Sequence, residues 1–505
     1  MPNIILSTLN ARYIHSSLGL RYLLANMGEL QQETVIREFT LEPHPAEMAE
    51  QLLLMRPMII GFGVYIWNVE QTTKLVGLLK AIAPEIIIVL GGPEVSHEDD
   101  TQPLVAKADY VISGPGELQF ADLCRRILLG DAPLDKLLPA RHHDLREVAF
   151  PYSFYTEEDI AHRVVYVEAS RGCPFKCEFC LSSLDKTTHT FDLDAFLGEM
   201  ARLHERGVRH FKFVDRTFNL TVNNSCAILE FFLGRLDEDL FLHFEVIPDR
   251  LPDRLKQLLQ RFPEDALQLE VGVQSFNSRV QDLISRKQDN SKSRENLAWL
   301  RGQTNAHLHT DLIIGLPGED MQSFGRGFDE LVGLQPHEIQ VGVLKRLRGA
   351  PISRHTEAFD MRFTTYPPYE ILSTDQIDFL NMQRMKRFAR YWEMIANSGR
   401  FRSTMPLILR DKPFMHFLML SDWLYATTRQ ISRIALKRLF ELLHRGMIDC
   451  LGCVADQTEL LLTEDFQRAR IKGMPSFQRA SDLQSGTNPA KGKCFKRQSR
   501  HSRSQ

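Results

Sequence analysis

The stretch "RGCPFKCEFC" (residues 171–180) contains three of the chain's eight cysteines, in the spacing Cys-x-x-x-Cys-x-x-Cys. These cysteines, Cys173, Cys177 and Cys180, directly follow the valine-rich run "RVVYV" (163–167), which is typical of a strand. A 4Fe–4S cluster normally takes four thiolates. Three thiolates on one loop can therefore bind three irons and leave the fourth with an open coordination position, as catalytic metal sites do.

A zinc ion is the alternative occupant of this loop, with a histidine such as His189 as its fourth ligand. Two observations weigh against zinc. The loop lies within a long stretch of alternating strands and helices rather than in a small zinc module, and the sequence has no second Cys/His pair at the spacing of a zinc finger.

The strand before the cysteines is the first of six strand–helix units. Strand-like runs recur near 164–169, 209–214, 241–246, 267–273, 307–314 and 338–344. Their alternation with helical stretches predicts a parallel sheet that curves into a partial (β/α)6 barrel. Because functional loops of such barrels follow the carboxyl ends of the strands, the cysteine loop is expected at the barrel mouth.

A separate alternation of strands and helices precedes the barrel. Short apolar runs at 3–8, 34–39, 58–65, 86–92 and 109–113 are rich in β-branched residues and alternate with amphipathic stretches. They predict an α/β fold with a doubly wound parallel sheet, whose ligands bind at the carboxyl ends of its strands. Glycines at two of these ends would let a ligand approach the backbone, although each taken singly is explained by a turn.

From Pro351 onward the alternation is lost, and longer amphipathic stretches such as 431–447 predict a mostly helical domain. The expected organisation is an N-terminal domain over 1–140, a barrel over 160–350, a helical domain over 351–478 and a basic, disordered tail over 479–505. In the helical domain, Cys450-x-x-Cys453 has no matching pair and is interpreted as two ordinary cysteines near a turn rather than half a metal site.

Composition narrows the classes of function. The net charge of −3 gives no sign of a nucleic-acid binder, and no apolar stretch approaches the ~20 residues needed to cross a bilayer. The start lacks the features of a signal peptide. Clustered cysteines in a chain of this length favour metal-binding or catalytic thiols in a reducing cytoplasm.

The cysteine triplet, with an aromatic residue before its last member, resembles the signature of radical S-adenosylmethionine enzymes. The resemblance implies a 4Fe–4S cluster on the three cysteines and S-adenosylmethionine on its open iron. The segments "FKFVDRTFN" (211–219), "LEVGVQSF" (269–276) and "DLIIGLPGE" (311–319) resemble the strand ends that line the cofactor in this family. The cofactor-binding residues implied for this chain are Phe179, Asp215, Asn219, Gln274, Ser275, Ile313, Gly315 and Glu319.

The N-terminal zone resembles the cobalamin-binding domain that precedes the barrel in one branch of that family. "VLGGPEVS" (89–96) and "ADYVISGPGELQF" (108–120) are similar to its ligand loops, which implies cobalamin contacts at Gly91, Gly92, Gly114, Gly116 and Glu117. Trp67 is either a neighbour of the corrin ring or a packing residue. The motif Asp-x-His-x-x-Gly is missing, so cobalamin is expected without a histidine below the cobalt, and His15 is interpreted as structural or as a contact at the ligand's edge.

The order of motifs most resembles an uncharacterised group of cobalamin-binding radical proteins with its own C-terminal domain. The resemblance implies an enzyme that transfers a methyl group to an unactivated centre of an unknown substrate. The alternatives are a radical rearrangement or oxidation without methyl transfer, or a cobalamin-binding sensor or carrier. The resemblance also implies a one-electron reductant such as flavodoxin or ferredoxin. No membrane partner and no nucleic-acid partner are expected.

Overall fold

The fold was analysed in a computed structural model that describes residues 2–98, 101–140, 144–473 and 475–477. The basic tail expected over 479–505 lies outside the described residues. Within the described ranges no helix is long and apolar enough to span a bilayer.

The N-terminal domain is built on a six-stranded sheet in the order β2-β1-β3-β4-β5-β6, in which every neighbouring pair is parallel. Its strands are β1 (Ile4–Asn10), β2 (Thr34–Thr40), β3 (Ile59–Gly63), β4 (Ile87–Gly91), β5 (Tyr110–Ser113) and β6 (Leu137–Pro139). Its helices are α1 (Leu18–Ala25), α2 (Pro45–Leu53), α3 (Val69–Ile82), α4 (Pro103–Lys107) and α5 (Glu117–Leu128). The doubly wound sheet predicted from the sequence is confirmed, with β6 as an edge strand that the sequence did not reveal.

Helices cover both faces of this sheet. All seven residues of β1 are buried, because the strand lies inside the sheet and apolar side chains pack on each side of it. One core joins β1, β3 and β4 to α2 and α3, and another joins the opposite face to α1 and α5. The carboxyl ends of β3, β4 and β5 are left at one open edge.

The chain then enters the barrel through α6 (Glu157–His162). The barrel is a second six-stranded parallel sheet, in the order β14-β13-β12-β11-β10-β7. These strands are β7 (Val165–Val167), β10 (His210–Phe213), β11 (Phe241–Val246), β12 (Leu267–Gln274), β13 (His307–Ile314) and β14 (Glu338–Val343), and a small antiparallel pair, β8 (Ser170–Arg171) and β9 (His189–Thr190), brackets the cysteine loop. The barrel helices are α7 (Leu193–Glu205), α8 (Val222–Leu233), α9 (Asp253–Leu259), α10 (Ser278–Leu283), α11 (Asn290–Gln303) and α12 (Met321–Gly333).

The third zone is mainly helical, as predicted. It contains the antiparallel pair β15 (Arg362–Phe363) and β16 (Ile371–Ser373), then α13 (Phe379–Ile395), α14 (Met405–Leu409), α15 (Pro413–Thr428), α16 (Leu436–Asp449) and α17 (Ala455–Arg468). Asn397 covers the barrel's edge strand, because its side chain accepts from Ile339 N at 3.0 Å and donates to Ile339 O at 2.9 Å. The edge strand β14 is therefore hydrogen-bonded on its outer side by the helical zone.

A buried ion-pair group joins the first domain to the segment that leads into the barrel. Arg21 on α1 is only 3% exposed and lies 3.1 Å from Glu38 of β2 and 2.7 Å from Asp159 of α6. Buried charges are stable only when they are paired, so this group holds the two sheets in one arrangement.

Candidate functional site

The cysteine loop leaves the barrel at the carboxyl end of its first strand. Gly172 enters the loop with φ +83, and a Cβ there would lie 2.0 Å from Thr187 O, so only glycine fits. Cys173 and Cys177 are buried and Cys180 is partly exposed. Burial raises the pKa of the Cys173 and Cys177 thiols. Binding to a metal centre would favour their thiolate forms.

A cavity of about 210 Å³ opens beside this loop at the barrel mouth. All three cysteines line it, together with Phe179 and Gln274 of the expected cofactor residues. Gln274 ends β12 with φ +69, an unusual conformation for a residue with a side chain, and sits at a register shift of the sheet.

Charged residues that were not identified from the sequence line the same cavity: Arg216, Glu245, Asp249, Glu270, Arg286, Lys287 and Asp311. Several come from the inward face of neighbouring strands, and Glu245 is in register with Glu270. The signal was available as period-two alternation in "LHFEV" (242–246) and "HLHTD" (307–311), because alternate strand residues share a face.

Arg286 approaches the cysteine loop most directly. Its Nη1 lies 3.5 Å from Cys177 Sγ, its Nε donates to Gln288 Oε1 at 3.0 Å, and its Nη2 donates to Gly272 O. These bonds fix a positive charge beside a cysteine that is expected to bind an iron.

Asp215 and Asn219 bind backbone rather than line this cavity. The Asp215 carboxylate accepts from Ala169 N at 3.0 Å and from Ser170 Oγ at 2.5 Å, and burial raises its pKa to about 7. Asn219 accepts from Ile247 N at 2.9 Å and donates to Ile247 O at 2.9 Å. Both side chains thus shape loops at the barrel mouth, and their contact with a cofactor stays a prediction.

Ser275 and Glu319 form a buried pair next to the end of β13. Ser275 Oγ donates to Glu319 Oε1 at 2.6 Å, and burial raises the pKa of Glu319 to about 7. Ile313 is partly exposed near the same strand end. Gly315 has φ +86, and a Cβ there would lie 2.7 Å from the Ile371 side chain. Packing against the helical zone therefore explains the glycine at this position without a ligand.

The thiol arrangement was tested against the two expected occupants of the loop. Among the described residues, no group of three or more His, Cys, Asp or Glu side chains is placed to hold one metal ion. A 4Fe–4S cluster is different, because each thiolate binds its own iron and the thiols need not converge on one point. His189, the alternative zinc ligand, is exposed, and its Nε2 lies 2.7 Å from Thr187 Oγ1. The buried thiols around one cavity therefore fit the cluster.

A second cavity, of about 180 Å³, lies at the open edge of the N-terminal sheet. Gly91, Gly92, Gly114, Gly116 and Glu117 all line it. A Cβ on Gly91 would lie 3.8 Å from Ile112 O and one on Gly114 would lie 3.7 Å from Ala140 Cβ, which are ordinary contact distances, whereas a Cβ on Gly92 would lie 2.5 Å from Val64 O. This cradle fits the tail of a large cofactor such as cobalamin, whereas the cobalamin contacts of individual residues stay predictions.

Trp67 and His15 both have partners within the protein. The Trp67 ring stacks on Tyr65 with centroids 4.5 Å apart, and its indole N–H donates to Leu9 O at 3.2 Å. His15 Nδ1 lies 2.7 Å from Tyr166 Oη, and burial lowers the pKa of His15. His15 therefore contacts the barrel domain, which favours the structural interpretation.

Two sets of contacts fasten the glycine loops to the barrel and to the start of the third zone. Glu117 at the start of α5 lies 2.7 Å from Arg171, which comes two residues before Cys173. Glu94, in the loop after β4, is 4% exposed and accepts from Tyr369 Oη at 2.6 Å and from Arg348 Nε at 3.1 Å. The carboxyl edges of the two sheets thus meet through ion pairs, and the cysteine loop directly adjoins a glycine loop.

Three family models match consecutive parts of this chain. The B12 binding domain matches residues 5–124, the radical SAM superfamily matches residues 167–331, and a family described as "Protein of unknown function (DUF4080)" matches residues 357–499. A radical SAM domain carries a 4Fe–4S cluster and S-adenosylmethionine and needs a reductant, and a B12 binding domain carries cobalamin.

Curated relatives match about three fifths of the chain. The cobalamin-dependent radical SAM methyltransferase TokK of Streptomyces tokunonensis is 24% identical in an alignment of 346 positions that covers 61% of this chain and 49% of TokK. The 2-(S-pantetheinyl)-carbapenam-3-carboxylate methyltransferase of Streptantibioticus cattleyicolor is 24% identical over 59% of this chain and 48% of that protein. The chain spans about half the length of these relatives.

Solved structures share the fold over more of the chain. The cobalamin-dependent S-adenosylmethionine radical enzyme OxsB aligns with a TM-score of 0.60 and 14% identity, over 93% of this chain and 80% of OxsB. The methyltransferase TsrM of Kitasatospora setae aligns with a TM-score of 0.59 and 14% identity, over 93% of this chain and all of TsrM. The chain therefore combines a B12 binding domain, a radical SAM domain and a DUF4080 region in one polypeptide.

Proposed function

We propose that this protein is a cobalamin-dependent methyltransferase that acts on an unactivated centre of its substrate. The observation that carries the proposal is the ion pair of 2.7 Å between Glu117 and Arg171. It joins the loop of the cobalamin cradle to the loop of the cluster cysteines. Because reacting centres must approach to about 3–3.5 Å, two cofactors that act on one substrate need adjoining loops of this kind.

The residues of the barrel mouth have distinct tasks in this proposal. Cys173, Cys177 and Cys180 would hold the cluster, and Arg286 offers a cation to the carboxylate of S-adenosylmethionine beside it. When bound, the cluster and S-adenosylmethionine supply a radical that removes a hydrogen atom, and methylcobalamin supplies the methyl group. The ordered loops that Asp215 and Asn219 hold would restrict access of water to this space.

The polar lining of the cavity also bears on the substrate. Glu245, Glu270 and Asp311 present carboxylates to the same space as Arg216 and Arg286. Such a lining favours a substrate with polar groups that can pair with fixed charges. We further propose that the protein works in the cytoplasm with a one-electron reductant such as flavodoxin or ferredoxin. The free thiols among the described cysteines support a reducing compartment.

The test begins with anaerobic reconstitution of the protein with iron, sulfide and hydroxocobalamin. The reconstituted protein is then incubated with S-adenosylmethionine, a reductant and extracts of small molecules, and the products are analysed by mass. Formation of both 5′-deoxyadenosine and S-adenosylhomocysteine, with a product heavier by one methyl group, supports methyl transfer. A product of unchanged mass, with no S-adenosylhomocysteine, indicates rearrangement instead. Bound cobalamin without any cleavage of S-adenosylmethionine indicates a sensor or carrier.

Matched cysteine variants separate a specific role from general damage. Cys177→Ala removes an expected cluster ligand and should abolish 5′-deoxyadenosine formation. Cys226→Ala removes another buried thiol, on α8 and outside the lining of the cavity, and should retain 5′-deoxyadenosine formation. Equal activity of the two variants would refute the assignment of the cluster.

A further inference from the structure

A buried carboxylate lies inside the cysteine motif itself. Glu178 sits between Cys177 and Cys180 and is only 4% exposed. Its carboxylate accepts from Ser285 Oγ at 2.5 Å, from Arg354 Nη2 at 2.7 Å and Nε at 2.8 Å, and from His355 Nε2 at 2.9 Å. A buried carboxylate is stable only with such partners, so this arrangement is a built site.

The backbone of the same residue is tied to the same two segments. Glu178 N donates to Ile284 O at 3.1 Å, and Ile352 N donates to Glu178 O at 2.9 Å. His355 Nε2 also lies 2.9 Å from Leu283 O. Because both neighbours of this nitrogen are acceptors, Nε2 carries a hydrogen. We call Glu178, Ser285, Arg354 and His355 the latch.

The latch connects the cluster loop to the start of the third domain. Arg354 and His355 lie just after Pro351, in the single-turn helix that opens the helical zone. Ser285 immediately precedes Arg286, whose Nη1 is 3.5 Å from Cys177 Sγ. One latch residue, Glu178, thus follows Cys177 directly in the chain, and another, the neutral Ser285, directly precedes Arg286.

Glu178 follows a cluster cysteine directly in the chain, and a charge near a redox centre acts on its potential. Adding an electron makes the cluster more negative, so a nearby negative charge opposes reduction and a nearby positive charge favours it. Glu178 and Arg354 form an ion pair whose charges cancel. The pair is bidentate, because two N–H groups of Arg354 donate to the two oxygens of one carboxylate. Removal of either partner leaves the other charge without compensation.

We propose that Glu178 and Arg354 are positioning residues that fasten the cysteine loop to the third domain and set the reduction potential of the cluster through their paired charges. The proposal rests on the cluster at the cysteine loop and not on the choice of methyl transfer as the reaction. The reaction concerned is the transfer of one electron from an external reductant to the oxidised cluster.

Two single variants should shift the potential in opposite directions. Arg354→Gln leaves the negative charge of Glu178 and lowers the potential, whereas Glu178→Gln leaves the positive charge of Arg354 and raises it. A shift of about 59 mV corresponds to a tenfold change in the ratio of reduced to oxidised cluster, and shifts of this order are expected. The Arg354 side chain is 60% exposed, so water screens its charge and the Glu178→Gln variant should show the smaller shift.

The experiment is an anaerobic redox titration of reconstituted full-length protein, followed by electron paramagnetic resonance of the reduced cluster. The double variant Glu178→Gln/Arg354→Gln and the conservative variant Arg354→Lys should both return close to the wild-type potential. Arg362→Gln breaks an exposed ion pair with Asp360 in the same domain and serves as the control, with no shift. Shifts of the same sign in the two single variants, or no shift in either, would overturn the proposal.

For variants that fail to take up the cluster, a second measurement uses the protein without its cluster. Lys176 is exposed in the cysteine loop, so trypsin cleavage there reports how firmly the loop is held. Glu178→Gln and Arg354→Gln should be cleaved several-fold faster than wild type and Arg362→Gln. Unchanged cleavage would overturn the latch. Failure of methyl transfer with intact potentials would count only against the proposed function.

Discussion

Gly92, in the loop after β4, allows a direct test of the geometry of the cobalamin cradle. Its φ is +105, and a Cβ on it would lie 2.5 Å from Val64 O, well inside ordinary contact distance. The strained backbone of a Gly92→Ala variant would cost about 1–2 kcal/mol. The overlap would force the loop away from Val64, whose N–H donates to Gly91 O at 2.8 Å, and the loss of this bond would cost about 1 kcal/mol more.

Gly92→Ala should therefore destabilise the N-terminal domain by about 2–3 kcal/mol. The measurement is urea unfolding followed by hydrogen exchange of peptides from β3 and β4, because the whole chain has several domains and does not unfold as one unit. Gly130→Ala is the matched control, since Gly130 has φ +74 but nothing within 4 Å of its Cβ position. The Gly130→Ala variant should show only the loss of stability that comes from backbone strain. The reasoning is refuted if the two variants lose the same stability, because the overlap with Val64 would then have no effect.

Three further changes test other parts of the molecule. Arg21→Met should destabilise the protein by about 2–3 kcal/mol in urea unfolding, because Glu38 and Asp159 lose one of their two arginine partners and keep Arg163. Burial raises the pKa of Glu319 to about 7, so the folded chain holds this proton more tightly than the unfolded chain. The stabilisation from this proton is fully present below about pH 4. The free energy of unfolding should fall by about 3–4 kcal/mol as the pH rises through 7. Glu319→Gln should flatten this fall between pH 5 and 8. Gly315→Ala should loosen the third domain, measured by hydrogen exchange around Ile371, whereas Gly207→Ala, with φ +97 and open space, should not.

The strand pattern was readable from the sequence because its physical cause is local. Each barrel strand lies within a few residues of its expected place, as for β13, expected over 307–314 and found at His307–Ile314. The strand β6 escaped notice because it is a three-residue edge segment, Leu-Leu-Pro, which is too short to show a strand pattern. The expected domain boundaries stay predictions.

The site was only partly readable, because much of it depends on contacts between distant segments. The cysteine spacing is a local signal, and it led directly to the cavity. By contrast, Asp215 was expected at a cofactor, but its carboxylate binds the backbone of Ala169. The partners of Glu178 lie more than a hundred residues further along the chain, and no local pattern announces them. Gly315 illustrates a third limit, since its Cβ position is filled by Ile371, a contact that its sequence motif does not reveal, and its contact with a cofactor stays a prediction.

The contacts of Glu94 also impose an order on events during synthesis at the ribosome. Glu94 and its partner Arg348 are 254 positions apart, which corresponds to roughly 13–50 s of translation at 5–20 residues per second. The N-terminal sheet can form well before Arg348 and Tyr369 have been made. During that interval its glycine loops lack their barrel contacts, and the cradle is accessible from the side that the barrel later covers. The contacts that close this edge of the sheet are thus made only after the cradle itself has folded.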